Sequence, residues 1–341
     1  MGSSVRPTGR TAVRGLGALS AAVLALTLTA CDDGDAAATS EGDGEITVVA
    51  STDVYADLAA SVVGDRAEVE AIVDDAAVDP HSYEATPQDR LRVEQADVLI
   101  ANGGGYDPFL TDLASSAGRD EAVLRLIEGE GSHAHDDESA DEDEHRDEDD
   151  HDHEHDGDET EDGEVYEDEH VWYDLDQMHD FVLDFAEHMA QLDEDHAEDY
   201  RADAQQVAEE IAALSERAEE VQADGLSYLA TEPVSQHLLQ HMGFDDATDP
   251  QFLAAVEHGD DVSPRLHQQA LSTASSGQID LLAYSIQTET SQSRAVRAEA
   301  EDAEVPVLEF SETIPEDYGS YTEWMSANIE AVEAVVEETD E

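Results

Sequence analysis

The sequence predicts an α/β protein of two lobes with mainly parallel sheets, joined by one long bracing helix. Two observations carry this prediction. Short β-branched runs alternate with segments of helical spacing in the first part of the chain and again after residue 225, which is the pattern of strands linked by crossover helices. Between the two series lies one uninterrupted helical stripe.

In the first series the strands are ITVVA at 46–50, VEAIV at 69–73, DVLIA at 97–101 and VLRLI at 123–127. Val54, Leu58 and Val62 recur at helical spacing between the first two, and a helix in that place lets the strands pair in parallel. The stretch 131–168 then interrupts the lobe. It is crowded with Asp, Glu and His and has almost no apolar residues, so it has little to bury and reads as an insert.

From Asp176 to Ala223 the pattern is helical throughout, with Asp176 as the expected N-cap and Phe181, Phe185, Met189 and Leu192 on one face. Tyr200, Ala204, Val207, Ile211, Leu214, Ala218 and Val221 follow at alternating steps of four and three. One long helix therefore presents one continuous apolar stripe, able to brace two lobes, and Gly225 is expected to end it. The second series holds strands at LSYLAT (226–231), IDLLAY (279–284) and VPVLEF (305–310), and a closing helix from Tyr321 to about Val336 carries Trp324, Ile329 and Val332. The expected division is an N-terminal lobe over 46–175 carrying the insert, a helical region over 176–224 and a C-terminal lobe over 225–341. Such lobes leave a cleft between them, and ligands of open α/β sheets bind beyond the carboxyl ends of the strands.

The chain start reads differently. Arg6, Arg10 and Arg14 precede an apolar run from Leu16 to Leu28 that is too short to span a bilayer stably, so residues 1–30 read as a secretory signal. Leu28-Thr29-Ala30-Cys31 resembles the bacterial lipobox, in which the cysteine becomes the lipidated first residue. Cys31 is the single cysteine of the chain, so no internal disulfide can form. The small acidic residues over 31–45 read as a flexible tether. The expected location is the extracytoplasmic face of the cell membrane.

The formal net charge is −73, and all 14 basic residues are arginine. Nucleic acid is excluded as a partner, because phosphate binding needs a basic patch. An acidic surface of this density suits strong brine, where salt screens the self-repulsion. NGGG at 102–105 lacks the Lys-Ser/Thr that a phosphate-cradling loop requires. A secreted metalloenzyme would want an HExxH helix or three ligands with an open position, and HDHEHDGD lacks that spacing. No enzyme activity is therefore expected.

Four metal-capable residues stand just after strands or where apolar sequence resumes. These are His81 in AVDPHSYEATPQD, His170 in DEHVWYDL, Glu232 in ATEPV and Glu312 in FSETIP. Two imidazoles and two carboxylates, two from each lobe, make a mixed nitrogen and oxygen shell that suits zinc or manganese. His237 and His241, four apart on an expected helix, could share one metal. His133, His135, His145, His151, His153 and His155 of the insert are expected to collect metal at low affinity.

PHSYEATPQD, the strand-to-loop NGGGYDPF, DEHVWYDL, the bracing helix and the closing YGSYTEWMSANI together resemble the zinc and manganese substrate-binding lipoproteins of bacterial ABC importers, the cluster A-I family. The resemblance runs from about Ile46 to the last helix. It implies metal ligation by His81 and His170, with Glu232 in the third position, which is His in some members, and Glu312 in the fourth, where many have Asp. Two departures stand out: Glu169 replaces the usual proline before the second histidine, and Gly104-Gly105-Tyr106 replaces a more apolar turn. The resemblance further implies a monomer anchored through Cys31 that carries zinc, or alternatively manganese, to an ABC permease. A metal-buffering or adhesive surface protein, with the insert as its main actor, is the reading from another class.

Overall fold

Both lobes are built on four-stranded parallel sheets, and the two sheets repeat one strand order. The computed structural model describes residues 46–127, 168–257 and 262–339. The expected signal, Cys31, the tether and the six insert histidines from His133 to His155 lie outside the described residues.

The first sheet contains β1 (Ile46–Thr52), β2 (Ala67–Val73), β3 (Val98–Gly103) and β4 (Val123–Ile127) in the order β2-β1-β3-β4. Its crossovers are α1 (Asp53–Val63), α2 (Pro87–Gln95) and α3 (Pro108–Ala117). β3 is buried along its whole length, as a parallel strand covered on both faces must be. Side chains alternate across the sheet: Val48 and Ala50 join the large core, whereas Val49 joins a smaller one with Ile72, Leu99 and Leu110. α2 starts sharply because Pro87 sits in its first turn and Thr86 and Asp89 form a reciprocal capping box.

The second sheet holds β5 (Ser227–Ala230), β6 (Asp245–Asp246), β7 (Leu281–Ser285) and β8 (Val307–Phe310) in the order β6-β5-β7-β8. α6 (Gln236–His241), α7 (Pro250–Glu257), α8 (Pro264–Ala274) and α9 (Ser291–Asp302) connect them, and α10 (Tyr321–Thr339) follows. β6 was not expected from the sequence. It is two acidic residues long, and its pairing with Ser227 and Tyr228 leaves no apolar periodicity to read.

The helical region is two helices, α4 (Leu175–Leu192) and α5 (Ala197–Glu220). The N-cap of α4 is Asp174, whose carboxylate accepts from the Gln177 amide at 3.0 Å. Asp176 is not the cap; the helix is already under way at buried Leu175, and Asp176 instead accepts from Ser215 Oγ of α5 at 3.2 Å. Leu192 is 48 % exposed, because the chain leaves the helix at Asp193. α5 stops at Glu220, ahead of Gly225; Gln222 takes a left-handed φ of 54° and turns the chain.

α5 touches α1 of the first lobe and α6 and α10 of the second. Arg217 makes a bidentate pair with Glu333 of α10 at 2.8 and 2.6 Å, and Arg66 pairs with Asp203 on the other side. One hydrophobic core runs from Val48 through α4 and α5 to Val335. The lobes are also tied directly. Tyr321 Oη donates to the Trp172 carbonyl at 2.8 Å and Tyr173 Oη to the Ser311 carbonyl at 3.0 Å. The Ile314 amide donates to Asp53 at 3.2 Å and the Tyr321 amide to Asp57 at 2.8 Å.

Candidate metal centre

His81 lies in a single 3₁₀ turn, Pro80–Ser82, between β2 and α2. Pro80 restricts the turn, and Asp79 caps it by accepting from the His81 amide at 2.9 Å. His170 immediately precedes the 3₁₀ turn Val171–Tyr173, whose three side chains are all buried. That burial fixes the backbone carrying the imidazole. Glu232 follows β5 by two residues and accepts from Thr288 Oγ1. Glu312 follows β8 by two residues, and its amide donates to Gln287 Oε1 at 2.7 Å. Glu232 and Glu312 thus stand just beyond the carboxyl ends of strands in the second sheet, while short 3₁₀ turns hold His81 and His170 of the first lobe.

His81, His170 and Glu232 each offer a ligand atom, and these atoms lie within 4.8 Å of one another. Among the described residues this is the single trio of His, Cys, Asp or Glu that converges in this way. Glu312 joins them, with Oε2 3.6 Å from His81 Nε2. His170 and Glu312 are fully buried, and Glu232 is nearly so. The Nε2 atoms of both histidines and both carboxylate oxygens of Glu312 are buried without a hydrogen-bond partner among the described residues. Buried polar atoms are nearly always paired, so four in one place, from nitrogen and oxygen donors, match the needs of a divalent cation.

The electrostatics follow from burial and mutual proximity. Burial alone would hold the His170 imidazole down, but the hydrogen bond and charge of Asp168, with Glu312 and Glu232 beyond, push it up to about 9. His81 is likewise depressed by burial and raised on balance by Glu169 and Glu312. Glu312 is pushed up to about 8 by burial and by the charge of Glu232. His170 and Glu312 are therefore both biased toward their protonated forms near neutral pH.

The His237 and His241 pair does not converge. His237 Nε2 lies 3.2 Å from the Asp168 carbonyl, whereas His241 Nε2 lies 3.1 Å from Ser215 Oγ. Sequence reasoning also missed residues around the four ligand candidates. Asp168 Oδ1 lies 2.7 Å from His170 Nδ1, and Glu169 Oε1 lies 3.2 Å from His81 Nδ1. Tyr106 stands edge-on to His81 at 4.7 Å between ring centroids. The signals for them were the acidic pair directly before His170 and the two departures from the family pattern at Glu169 and Gly104-Gly105-Tyr106.

A family model described as zinc-uptake complex component A, periplasmic, matches residues 48–335. A metal ABC transporter substrate-binding lipoprotein, SsaB of Streptococcus sanguinis, is 34% identical over 31% of this chain and 35% of its own length. The manganese-binding lipoprotein MntA of Halalkalibacterium halodurans is 30% identical over 33% of this chain and 40% of its own. These matches span well under half the length of the curated relatives. Among solved structures, the periplasmic zinc binding protein TroA of Treponema pallidum superposes with a TM-score of 0.65 at 15% identity, over 86% of this chain and 99% of that one. FpvC of Pseudomonas aeruginosa, in complex with Mn2+, gives 0.63 at 18% identity, over 87% and 100%. At these identities the likeness establishes a common fold.

Proposed function

The chain belongs to the periplasmic zinc-uptake component A family of metal-binding proteins, and from that premise we propose that it captures a divalent transition metal, zinc in the first place, and delivers it to an ABC permease. The observation that carries this reading is the convergence of His81, His170 and Glu232 within 4.8 Å, with Glu312 alongside. On this reading the four side chains are the ligands, and the ion exchanges its water for two groups from each lobe.

The described geometry supports binding and release more than chemistry. Two imidazoles and two carboxylates saturate a tetrahedral ion, and a catalytic water needs a free position. The cargo links residues of the first lobe to residues of the second, so binding stabilises the closed arrangement that a permease would meet. α5 and the direct ties between lobes restrict that motion to a small tilt. On the same reading Cys31 carries the lipid anchor, the protein works as a monomer outside the membrane, and the insert histidines gather zinc near the cleft.

Zinc is favoured over manganese because the order of divalent affinities places it higher for nitrogen and oxygen sites. Manganese has its own support in the two carboxylates and in the names of curated relatives. Thermal unfolding at matched free concentrations of each ion separates the two. Binding at about a hundredfold excess over the dissociation constant adds about 2.7 kcal/mol, and His81→Ala should abolish the gain. A larger stabilisation by manganese makes the cargo manganese; no stabilisation by either ion refutes the site.

A further inference from the structure

The two departures from the family pattern, Glu169 and the Gly104-Gly105 turn, meet in space beside His81. Glu169 Oε1 lies 3.2 Å from His81 Nδ1, and the residue is nearly buried, at 8 % exposed. Its backbone is held from the first sheet, because Asn102 Nδ2 at the end of β3 donates to the Glu169 carbonyl at 2.9 Å. A Cβ built on Gly105 would come within 3.3 Å of Glu169 Oε2, and one on Gly104 within 3.5 Å of Glu169 Cβ. Both glycines have positive φ, +115° and +66°, which disfavours side chains at these positions. The glycine turn therefore leaves the space that the Glu169 side chain fills.

An imidazole that binds a metal through one nitrogen carries its proton on the other, and a carboxylate accepting that proton fixes both tautomer and ring orientation. At His170 the arrangement is direct: Asp168 Oδ1 takes Nδ1 at 2.7 Å, while Nε2 is buried without a partner among the described residues. His81 repeats it. Its Nδ1 meets Glu169, and its Nε2 faces the cluster, likewise unpartnered. A proline at 169 could supply no such acceptor.

We propose that Glu169 is a positioning residue of the metal centre, holding the Nδ1–H of His81 so that Nε2 is committed to the ion, as its neighbour Asp168 does for His170. One dipeptide thereby orients both imidazoles. Glu169 does not touch the metal, and its effect passes through His81. The inference rests on the cleft being the metal site.

The test measures zinc dissociation constants by chelator competition on the full-length protein, at one equivalent of metal, for wild type, Glu169→Ala and Glu169→Gln. Melting of each metal-free protein and nitrogen NMR of the zinc-loaded histidine rings accompany it. Glu169→Ala should weaken zinc binding about 10- to 100-fold and expose the His81 Nδ1–H to exchange. Glu169→Gln, which keeps an acceptor oxygen, should restore most of both, with metal-free melting unchanged throughout. Wild-type affinity or an unaltered His81 ring signal in Glu169→Ala overturns the proposal. So does a loss of affinity matched by a fall in metal-free melting, which would mark a merely structural role. A wild type without tight zinc or manganese binding would instead defeat the reading of the cleft itself.

Discussion

On the proposed reading, protons and the metal compete for the same atoms at His170 and Glu312. With His170 raised to about 9 and Glu312 to about 8, both hold protons near neutral pH, and ligation requires them to leave. Calorimetric titration with zinc in two buffers of different ionisation enthalpy should therefore give different apparent heats. Affinity should fall as the pH is lowered. Equal heats in both buffers would show that no proton is displaced, contrary to ligation by His170. Asp168 adds a second expectation at this scale. Asp168→Ala removes the acceptor at His170 Nδ1 and should weaken zinc binding about 10- to 100-fold, whereas Asp168→Asn, which keeps an acceptor oxygen, should restore most of it. An Asp168→Ala protein that binds zinc like wild type would mean that the 2.7 Å contact to His170 has no part in ligation.

Among the elements, α5 carries the mechanical load. Its buried stripe of Tyr200, Ala204, Ile211 and Ala218 packs against α4, α1 and α10, so a cavity there loosens both lobes at once. Ile211→Ala should destabilise the metal-free protein by about 2–5 kcal/mol, the usual cost of truncating a buried isoleucine. Urea denaturation followed by circular dichroism would measure it, and an effect under about 0.5 kcal/mol, typical of surface positions, would show that the stripe does not brace the molecule. The exposed Arg201 and Glu187 pair, though bidentate at 2.6 and 2.7 Å, sits in water and is screened.

Across the whole molecule, charge and buried acids act on stability together. Asp53 is pushed up to about 7, and Asp57 is also raised, in both cases by burial at the ties between lobes and against the pull of backbone amides. For these carboxyls, and for His170 and Glu312, the folded value lies above the unfolded one. Each therefore contributes stability at low pH that is lost as the pH rises through its folded value. The general repulsion implied by a net charge of −73 acts in the same direction, but salt screens it, shortening the Debye length from about 10 Å at 0.1 M to about 3 Å at 1 M. Two outcomes follow for the metal-free protein. Its melting temperature should rise with sodium chloride over that range, and in molar salt it should still be higher near pH 6 than near pH 8.5. A melting temperature indifferent to salt would show that the acidic surface is not destabilising. A flat pH response in molar salt would remove the role given to the buried acids.

Local regularities determined much of this from the sequence alone. The run Val123 to Ile127 is a strand to the residue, and the step pattern from Tyr200 to Ala218 is one buried helical face, because side-chain period reports secondary structure without reference to the rest of the chain. Glu232 and Glu312 were legible as candidates for a similar reason, since residues just beyond strand ends in parallel sheets face the crevice, whereas His170 was marked by the return of apolar sequence and by its resemblance to the family motif. Tertiary structure alone decided the rest. Asp174 rather than Asp176 caps α4, since burial of Leu175 against the core set the helix start. β6 forms from Asp245 and Asp246 because β5 offers an open edge, and no local pattern announces it. His237 turns to Asp168 and His241 to Ser215, although their spacing on a helix suits a shared ion. Glu169 shows in sequence only as a departure from the family's proline, and only the return of the chain past Gly104 and Gly105 places its carboxylate on His81. Backbone periodicity is a property of neighbours in the chain, whereas the partner of a buried side chain is chosen by residues far away in sequence that packing brings near.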